Sequence, residues 1–284
     1  MRNHKVTGGG GTQIHLVENG NHNGWPIVFI HGFSQSSLVW RRQMDSDLAT
    51  DFRLVAMDLR GHGSSDRPVD GYGDSRLWAD DLHATIQTLG LKDPVVCGWS
   101  YGPLVILDYI RHYGDDAIGA ICLVGGVTKL GSEEALGVLT PEFISLVPGF
   151  FASEVEPCVA SLRSLIELCL HAPSDEDLYT MLGASVSVPP YVRRAMLSRS
   201  VSNDDLIPRI RKPAFIVHAP DDAVVKAAAA KQHQDSFPKS QVATVPGAGH
   251  AVFWNDPATF NRHLRDFVKL LATDRPRSTS SVQV

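Results

Sequence analysis

Residues 94–114, PVVCGWSYGPLVILDYIRHYG, decide the predicted fold of this 284-residue chain. An apolar, β-branched run ends in a glycine, a serine between two aromatic residues and a second glycine, and a helix-like apolar stretch follows. Gly-x-Ser-x-Gly between a strand and a helix is typical of a nucleophile elbow, a sharp turn that exposes a serine hydroxyl above the sheet. Ser100 is therefore the candidate nucleophile, and a simple Ser-Gly turn is the alternative.

The rest of the chain alternates short apolar runs with stretches of helical period. The runs are nearly continuous in Val, Ile, Leu and Ala, as in strands covered on both faces, and occupy residues 25–32, 52–58, 94–100, 117–127, 212–221 and 240–249. Helical stretches follow at 75–90, 102–114, 227–237 and 257–271. This alternation predicts an α/β fold with a doubly wound, mostly parallel sheet. The alternating segment 12–20 predicts an antiparallel hairpin at one sheet edge.

The rhythm of strand and helix fails between residues 128 and 207, where helical fragments occur without strands. We expect a helical cap there, inserted into a core of residues 1–127 and 208–273. The Ser-rich residues 274–284 are expected to be disordered. The apolar cap residues should first of all pack onto the core, and any left over would favour a small to medium apolar substrate.

Composition excludes several classes of function. The net charge of -5 and pI near 6.2 give no reason to expect a nucleic acid or an anionic membrane as partner. No apolar run approaches the roughly 20 residues of a membrane span, and the first residues lack an apolar signal segment, so we expect a cytoplasmic protein. Four cysteines without a CxxC pair are expected to be reduced. The histidines lack HExxH or a comparable spacing, so no metal site is expected. The serine chemistry considered below requires neither a metal nor an organic cofactor. The sequence leaves the oligomeric state open.

A serine nucleophile needs a base and, in turn, a carboxylate that orients the base. His250 lies in a Gly-rich loop after the last apolar run and is the candidate base. Asp222 is the preferred acid, and the adjacent Asp221 is the alternative, with a turn or helix-cap role otherwise. The chain order Ser, Asp, His is the one expected for this architecture.

Two main-chain N–H groups are candidates for binding the oxyanion of a tetrahedral intermediate. The loop FIHGFSQSS at 29–37 crosses the carboxyl edge of the sheet, where ligands bind in such folds. We expect the donors to be the N–H groups of Phe33 and Tyr101, since geometry rather than side-chain identity matters for this task.

Five motifs in order resemble the α/β-hydrolase superfamily, in the branch of cofactor-free haloperoxidases, perhydrolases and small carboxylesterases. They are HGFSQSS (31–37), MDLRGHGSSDRP (57–68), GWSYG (98–102), HAPDDAVV (218–225) and GAGHAVFW (247–254), within a resemblance spanning about residues 11 to 272. The resemblance implies the same roles for Ser100, Asp222, His250, Phe33 and Tyr101. It also implies that His31 packs beneath the oxyanion loop and that residues 61–63 form a structural turn.

The chain departs from the family pattern at two positions. Lys226 stands where members often have proline, and Pro103 stands where they often have glycine after the elbow. Neither change removes a catalytic group, but Pro103 is expected to alter the width of the acyl site. The serine at 100 excludes the superfamily's haloalkane dehalogenases and epoxide hydrolases, which carry aspartate there.

The expected reaction is hydrolysis of a small-molecule carboxylic ester through an acyl-enzyme. Core packing is an equal alternative for the candidate substrate contacts, which are Trp99, Ser34, Leu130, Phe143, Val147 and Trp254. A C–C bond hydrolase, an enol-lactonase or a perhydrolase would show the same motifs. A ligand receptor with little turnover is the alternative from a different class.

Overall fold

Eight strands form one sheet in the computed structural model, which describes residues 1–273. The strands are β1 (Arg2–Thr7), β2 (Gln13–Gly20), β3 (Trp25–Ile30), β4 (Phe52–Met57), β5 (Val95–Trp99), β6 (Ala120–Val124), β7 (Ala214–His218) and β8 (Ser240–Thr244). Their order in the sheet is β1-β2-β4-β3-β5-β6-β7-β8, and β3 to β8 run parallel. Every residue of β4 to β7 is buried, as in strands that are covered on both faces. The predicted doubly wound, mostly parallel sheet is confirmed.

From β3 onward, helices connect the strands within the described residues. They are α1 (Arg41–Met44), α2 (Leu48–Asp51), α3 (Ser75–Thr88), α4 (Gly102–Tyr113), α5 (Glu133–Gly137), α6 (Pro141–Leu146), α7 (Val155–Cys169), α8 (Asp175–Ser187), α9 (Pro190–Leu197), α10 (Ala228–Ser236), α11 (Val252–Asn255) and α12 (Pro257–Thr273). Short 3-10 turns occupy Gly9–Gly11, Ser37–Trp40, Val147–Phe151 and Ile207–Arg209.

The antiparallel edge differs in one respect from the sequence-based expectation. Strand β2 pairs antiparallel with β1 on one side and with β4 on the other, so its hairpin partner precedes it in the chain. The sequence did not predict β1, because this edge strand is largely exposed and its polar residues form no continuous apolar run. At the opposite edge β8 is also mostly exposed.

Residues 128–207, between β6 and β7, contain α5 to α9 and no named strand, and are called the helical insertion below. Two isolated bridges, Leu130 with Val201 and Leu139 with Val225, are its β-type pairings in the described chain. The second bridge joins the insertion to the segment that follows β7.

The loops after β3, β5, β7 and β8 all leave the sheet at its carboxyl edge, because these strands are parallel. These loops carry the residues predicted to be functional: Phe33, Ser100, Asp222 and His250. Parallel topology therefore places side chains that are distant in sequence at one edge.

The remaining expectations on the chain as a whole concern cysteines, membranes and the tail. All four cysteines are buried and free. Within residues 1–273, no helix combines the length and apolar character needed to cross a bilayer. The predicted disordered tail, 274–284, lies outside the described residues.

Acid should weaken the fold through His233, in the last turn of α10. Burial, followed by the positive charges of His218 and Lys129, lowers the pKa of His233 to about 4. Between pH 6.5 and 4 the unfolded chain therefore binds a proton that the folded chain does not, so stability falls as the pH falls. In urea unfolding, His233→Gln should lose about 2 to 3 kcal/mol less than the wild type between pH 7 and pH 4.5. Equal losses in both proteins would contradict this assignment.

Candidate active site

Ser100 lies on a sharp turn between β5 and α4, with a φ of +56° that non-glycine residues rarely adopt. A Cβ at Gly98 would stand 2.6 Å from the carbonyl carbon of Gly102 and 2.7 Å from the nitrogen of Pro103. A Cβ at Gly102 would stand 2.8 Å from the carbonyl oxygen of Ile30. The two glycines of the motif are thus required by close backbone approach, as the sequence predicted.

Main-chain hydrogen bonds hold this turn to the neighbouring strand. The N–H of Ser100 donates to the carbonyl of Val124 at 2.9 Å, and its carbonyl accepts from the N–H of Val127 at 3.0 Å. A left-handed conformation at serine costs about 1–3 kcal/mol, so the surrounding structure must impose it. Strain of this kind is concentrated at functional sites.

His250 and Asp222 form a buried hydrogen bond, with 2.8 Å between Nδ1 of the imidazole and Oδ2 of the carboxylate. The other carboxylate oxygen of Asp222 accepts from the N–H groups of Val224 and Val225, each at 2.8 Å. Burial tends to raise the pKa of Asp222, but His250 and these two N–H groups outweigh it, so the pKa is lowered. Among residues 1–273 no group bonds to Nε2 of His250, which leaves this nitrogen available for a proton transfer.

Asp221, the alternative acid, points to a different task. Its carboxylate accepts from the N–H of Gly247 at 2.8 Å and of Gly249 at 3.1 Å, in the loop that leads to His250. The structure therefore brings Asp222, rather than Asp221, to the imidazole. Asp221 instead fixes the course of the loop that carries His250.

Trp99 connects the loop of His250 to the elbow. Its indole N–H donates to the carbonyl of His250 at 3.1 Å, and the two rings lie 5.3 Å apart. Ser100 and His250 line the same cavity. The hydroxyl of Ser100 forms no hydrogen bond within the described part of the chain. In enzymes without bound substrate, the hydrogen bond between nucleophile and base is often long or poorly aligned.

The two expected oxyanion donors lie beside the elbow. A Cβ at Gly32 would stand 3.0 Å from Cβ of Ser100, so the loop carrying Phe33 lies directly against the serine. Phe33 and Tyr101 are both buried, and no group within residues 1–273 accepts a hydrogen bond from their main-chain N–H groups. Two main-chain N–H groups that have no acceptor in the described chain and lie beside a serine suit an anionic ligand.

A cavity of about 450 Å³ opens at the elbow, between the sheet edge and the helical insertion. Its apolar lining includes four of the predicted substrate contacts, together with further aliphatic side chains; the four are Trp99, Leu130, Phe143 and Val147. The lining also includes Lys129, whose ammonium contacts Glu134 at 2.5 Å and Asp204 at 2.7 Å.

The other two predicted contacts, Ser34 and Trp254, are not among the residues that line this cavity. Ser34 is buried and hydrogen-bonded to Ser185 of α8. Trp254 is buried beneath the guanidinium groups of Arg41 and Arg42, at 4.8 and 4.5 Å from its ring. Both lie next to the site in sequence, but the hydroxyl of Ser34 bonds to the helical insertion and the indole of Trp254 packs against two arginines.

The histidines assigned to structural roles lie apart from the cavity. His31 is buried, accepts from the N–H of Leu59 at 3.0 Å through Nε2, and contacts the carbonyl of Gly32 through Nδ1 at 2.8 Å. His62 contacts the carbonyl of Arg60 at 2.9 Å, and burial lowers its pKa to about 3. Among the described residues no cluster of three His, Cys, Asp or Glu side chains could hold a metal ion.

Sequence reasoning missed two buried residues of the helical insertion that touch the donor segments. Arg199 donates to the hydroxyl of Tyr101, and Ser185 donates to the carbonyl of Ser34. A third contact comes from the carbonyl of Cys169, which accepts from the N–H of Ala251 at 3.1 Å, next to His250. These residues occur in polar or helical stretches that carry no recognisable motif.

Comparisons with known proteins agree with this architecture. Residues 27–263 match the model of the alpha/beta hydrolase family. The crystal structure of an esterase from Rhodococcus sp. ECU1013 is 36% identical and superimposes with a TM-score of 0.91, covering 95% of this chain and all of that one. The non-heme chloroperoxidase of Streptomyces lividans is 28% identical over 93% of this chain and 99% of its own length. A bifunctional esterase/perhydrolase of Acinetobacter calcoaceticus is 26% identical over the same shares. The chain belongs to the α/β-hydrolase family.

Proposed function

We propose that the protein is a serine hydrolase that cleaves a small to medium, largely apolar carboxylic ester. The observation that carries this proposal is the buried Asp222–His250 hydrogen bond at a cavity whose lining also includes Ser100 on its strained turn. The similarity to an esterase over nearly the whole chain supports ester chemistry.

In the proposed first half-reaction, the hydroxyl of Ser100 attacks the ester carbonyl while Nε2 of His250 accepts its proton. Asp222 holds the imidazole in the tautomer with a proton on Nδ1 and stabilises the imidazolium that forms. Its lowered pKa keeps this carboxylate ionised at neutral pH. The new bond from serine to the carbonyl carbon leaves a negative charge on the former carbonyl oxygen.

The N–H groups of Phe33 and Tyr101 are proposed to bind that oxyanion, since both are unpaired within the described chain. When the tetrahedral intermediate collapses, the imidazolium gives its proton to the departing alkoxide and the alcohol leaves. Water then attacks the acyl-enzyme, with His250 again as the base, and the acid is released while Ser100 recovers its proton. Neither half-reaction calls for a redox step.

We infer that the helical insertion acts as a cap that shapes the acyl-binding space. Its lining side chains are mostly aliphatic or aromatic, which suits an apolar substrate. The charge of Lys129 is compensated by Glu134 and Asp204, so it offers little to a phosphorylated substrate. A cytoplasmic location stays a prediction.

Perhydrolysis is the second candidate function, favoured by the similarity to a bifunctional esterase/perhydrolase. Hydrogen peroxide would then replace water in the attack on the same acyl-enzyme and release a peracid. Measuring acid and peracid from one ester, with and without added peroxide, separates the two reactions. Peracid formation that exceeds hydrolysis would favour perhydrolase activity.

Ser100→Ala should lower hydrolysis of p-nitrophenyl butyrate by about 10⁴-fold or more, because no other group replaces the nucleophile. The variant should also lose covalent labelling by a fluorophosphonate, as measured by mass spectrometry. Ser145→Ala, at a hydroxyl on an exposed part of the helical insertion, serves as the control and should retain wild-type values. Substantial activity in the Ser100 variant would overturn the proposed mechanism.

Asp222→Asn should lower the turnover number by about 10⁴-fold without unfolding the protein, since the imidazole then adopts the wrong tautomer. Asp221→Asn, which removes a charge at the adjacent position, should lower turnover by less than about tenfold. Steady-state kinetics with far-ultraviolet circular dichroism measures both effects. The reverse ranking would exchange the roles of the two carboxylates.

Val147→Trp should shorten the longest acyl chain that is hydrolysed efficiently, because Val147 lines the cavity. Catalytic efficiency with p-nitrophenyl acetate should stay within about threefold of the wild type, and that with a long acyl chain should fall by about tenfold or more. Val186→Trp, at an exposed position of α8, is the matched control. An identical chain-length profile in all three proteins would show that acyl chains do not enter this cavity.

A further inference from the structure

The side chain of Tyr101 is held by an arginine of the helical insertion. Nη1 of Arg199, which follows α9, donates to the hydroxyl of Tyr101 at 3.0 Å. The ring of Tyr101 also lies 5.9 Å from that of Trp78, and the guanidinium of Arg199 stands over both rings. Tyr101, whose main-chain N–H is proposed to bind the oxyanion, therefore has its side chain held by a residue of the helical insertion.

The same arginine is anchored to the helix that begins at the elbow. Nη2 of Arg199 donates to both oxygens of Asp108 on α4, at 2.9 and 2.7 Å, and both side chains are nearly inaccessible to solvent. Burial raises the pKa of Asp108 to about 6 in spite of the neighbouring Arg199. A buried ion pair contributes little net stability compared with an apolar pair of similar volume. Stability alone thus gives no reason for an ion pair at this place, whereas positioning Tyr101 does.

The loop of the other donor, Phe33, is also held by the helical insertion. Ser34 has a φ of +55°, and its hydroxyl donates to the carbonyl of Ser185 at 3.2 Å. The hydroxyl of Ser185 donates in return to the carbonyl of Ser34 at 2.9 Å. This reciprocal pair fixes Ser34, the residue that follows Phe33, in a conformation that serine rarely adopts.

Further buried groups complete the contact around Ser185. The amide of Gln35 donates to the hydroxyl of Ser185 at 2.8 Å and to the carbonyl of Met181 at 3.3 Å. Arg193, itself buried, donates to the carbonyl of Ser185 at 3.1 Å. The position of α8 against the loop is therefore set by directional bonds and not by apolar contact alone.

We propose, on the basis of the proposed hydrolase function, that Arg199 and Ser185 are positioning residues that orient the two oxyanion donors. Each belongs to the helical insertion, and each is hydrogen-bonded to the donor residue or to its immediate neighbour. The insertion then does more than shape the acyl space: it holds the N–H groups of Phe33 and Tyr101 at the spacing that a tetrahedral oxyanion requires. Loss of either contact should weaken transition-state binding while leaving substrate binding intact.

The test compares Arg199→Met and Ser185→Ala with the wild type in ester hydrolysis. We expect kcat to fall about 10- to 100-fold, with KM within about threefold, because a displaced donor acts on the transition state alone. Inhibition by a trifluoromethyl ketone, which forms a tetrahedral oxyanion adduct with serine, should weaken in parallel with kcat/KM. Inhibition by the matched methyl ketone, which stays trigonal, should not change.

Matched controls separate this effect from general loosening of the insertion. Arg111→Met removes the ion pair to Asp205 and the bonds to Ser202 and Asn203, which also join α4 to the insertion but make no contact to Tyr101. Ser187→Ala removes an exposed hydroxyl from the same helix as Ser185. Both controls should keep the wild-type kcat and the wild-type affinity for the trifluoromethyl ketone.

Tyr101→Phe keeps the proposal testable if Arg199→Met does not fold, since it removes only the hydroxyl contact and leaves the Arg199–Asp108 pair in place. It should shift kcat and ketone affinity in the same direction. Wild-type values in Tyr101→Phe and Ser185→Ala, or losses equal to those of the controls, would overturn the proposal. Ser100→Ala is measured alongside: an active Ser100 variant overturns the proposed function, whereas an inactive one with unaffected positioning variants overturns this inference alone.

Discussion

The hydrogen bond between Asp222 and His250 is the contact on which the site depends. A buried carboxylate is costly unless it is well paired, and Asp222 has the imidazole on one oxygen and two N–H groups on the other. These three partners lower its pKa against the effect of burial. The arrangement is stable only if the loops after β7 and β8 meet, and parallel pairing of those two strands brings them together.

The site also depends on the backbone geometry of the turn that carries Ser100. The elbow requires an unfavourable φ at Ser100 and the absence of side chains at Gly98 and Gly102. Central, fully buried strands supply the rigid frame that imposes such strain. Trp99 then joins the elbow to the loop of His250, so the serine and the imidazole are carried by one connected framework.

Sequence patterns predicted the sheet, the elbow and the meeting of Asp222 with His250, because each depends on local signals or on parallel topology. Strand β1 was not predicted, because an exposed edge strand has no continuous apolar run. Ser34 and Trp254 were expected to contact substrate, but Ser34 bonds to the helical insertion and Trp254 packs against two arginines, and no local pattern encodes such contacts. Arg199 and Ser185 were not predicted for a different reason. Their partners Asp108 and Ser34 are 91 and 151 residues away in sequence, and no periodicity encodes such pairings. The sequence signal that could have indicated the Arg199 contact is Asp108, a carboxylate within the apolar helix α4.

The carbonyl of Cys169, at the end of α7, accepts from both the main chain of Ala251 and the side chain of Asn255. The segment that shapes the pocket is therefore also bonded to the loop of His250. Here, grafting a foreign insertion onto the same sheet would also discard an anchor of the imidazole loop, so selectivity and rate would change together.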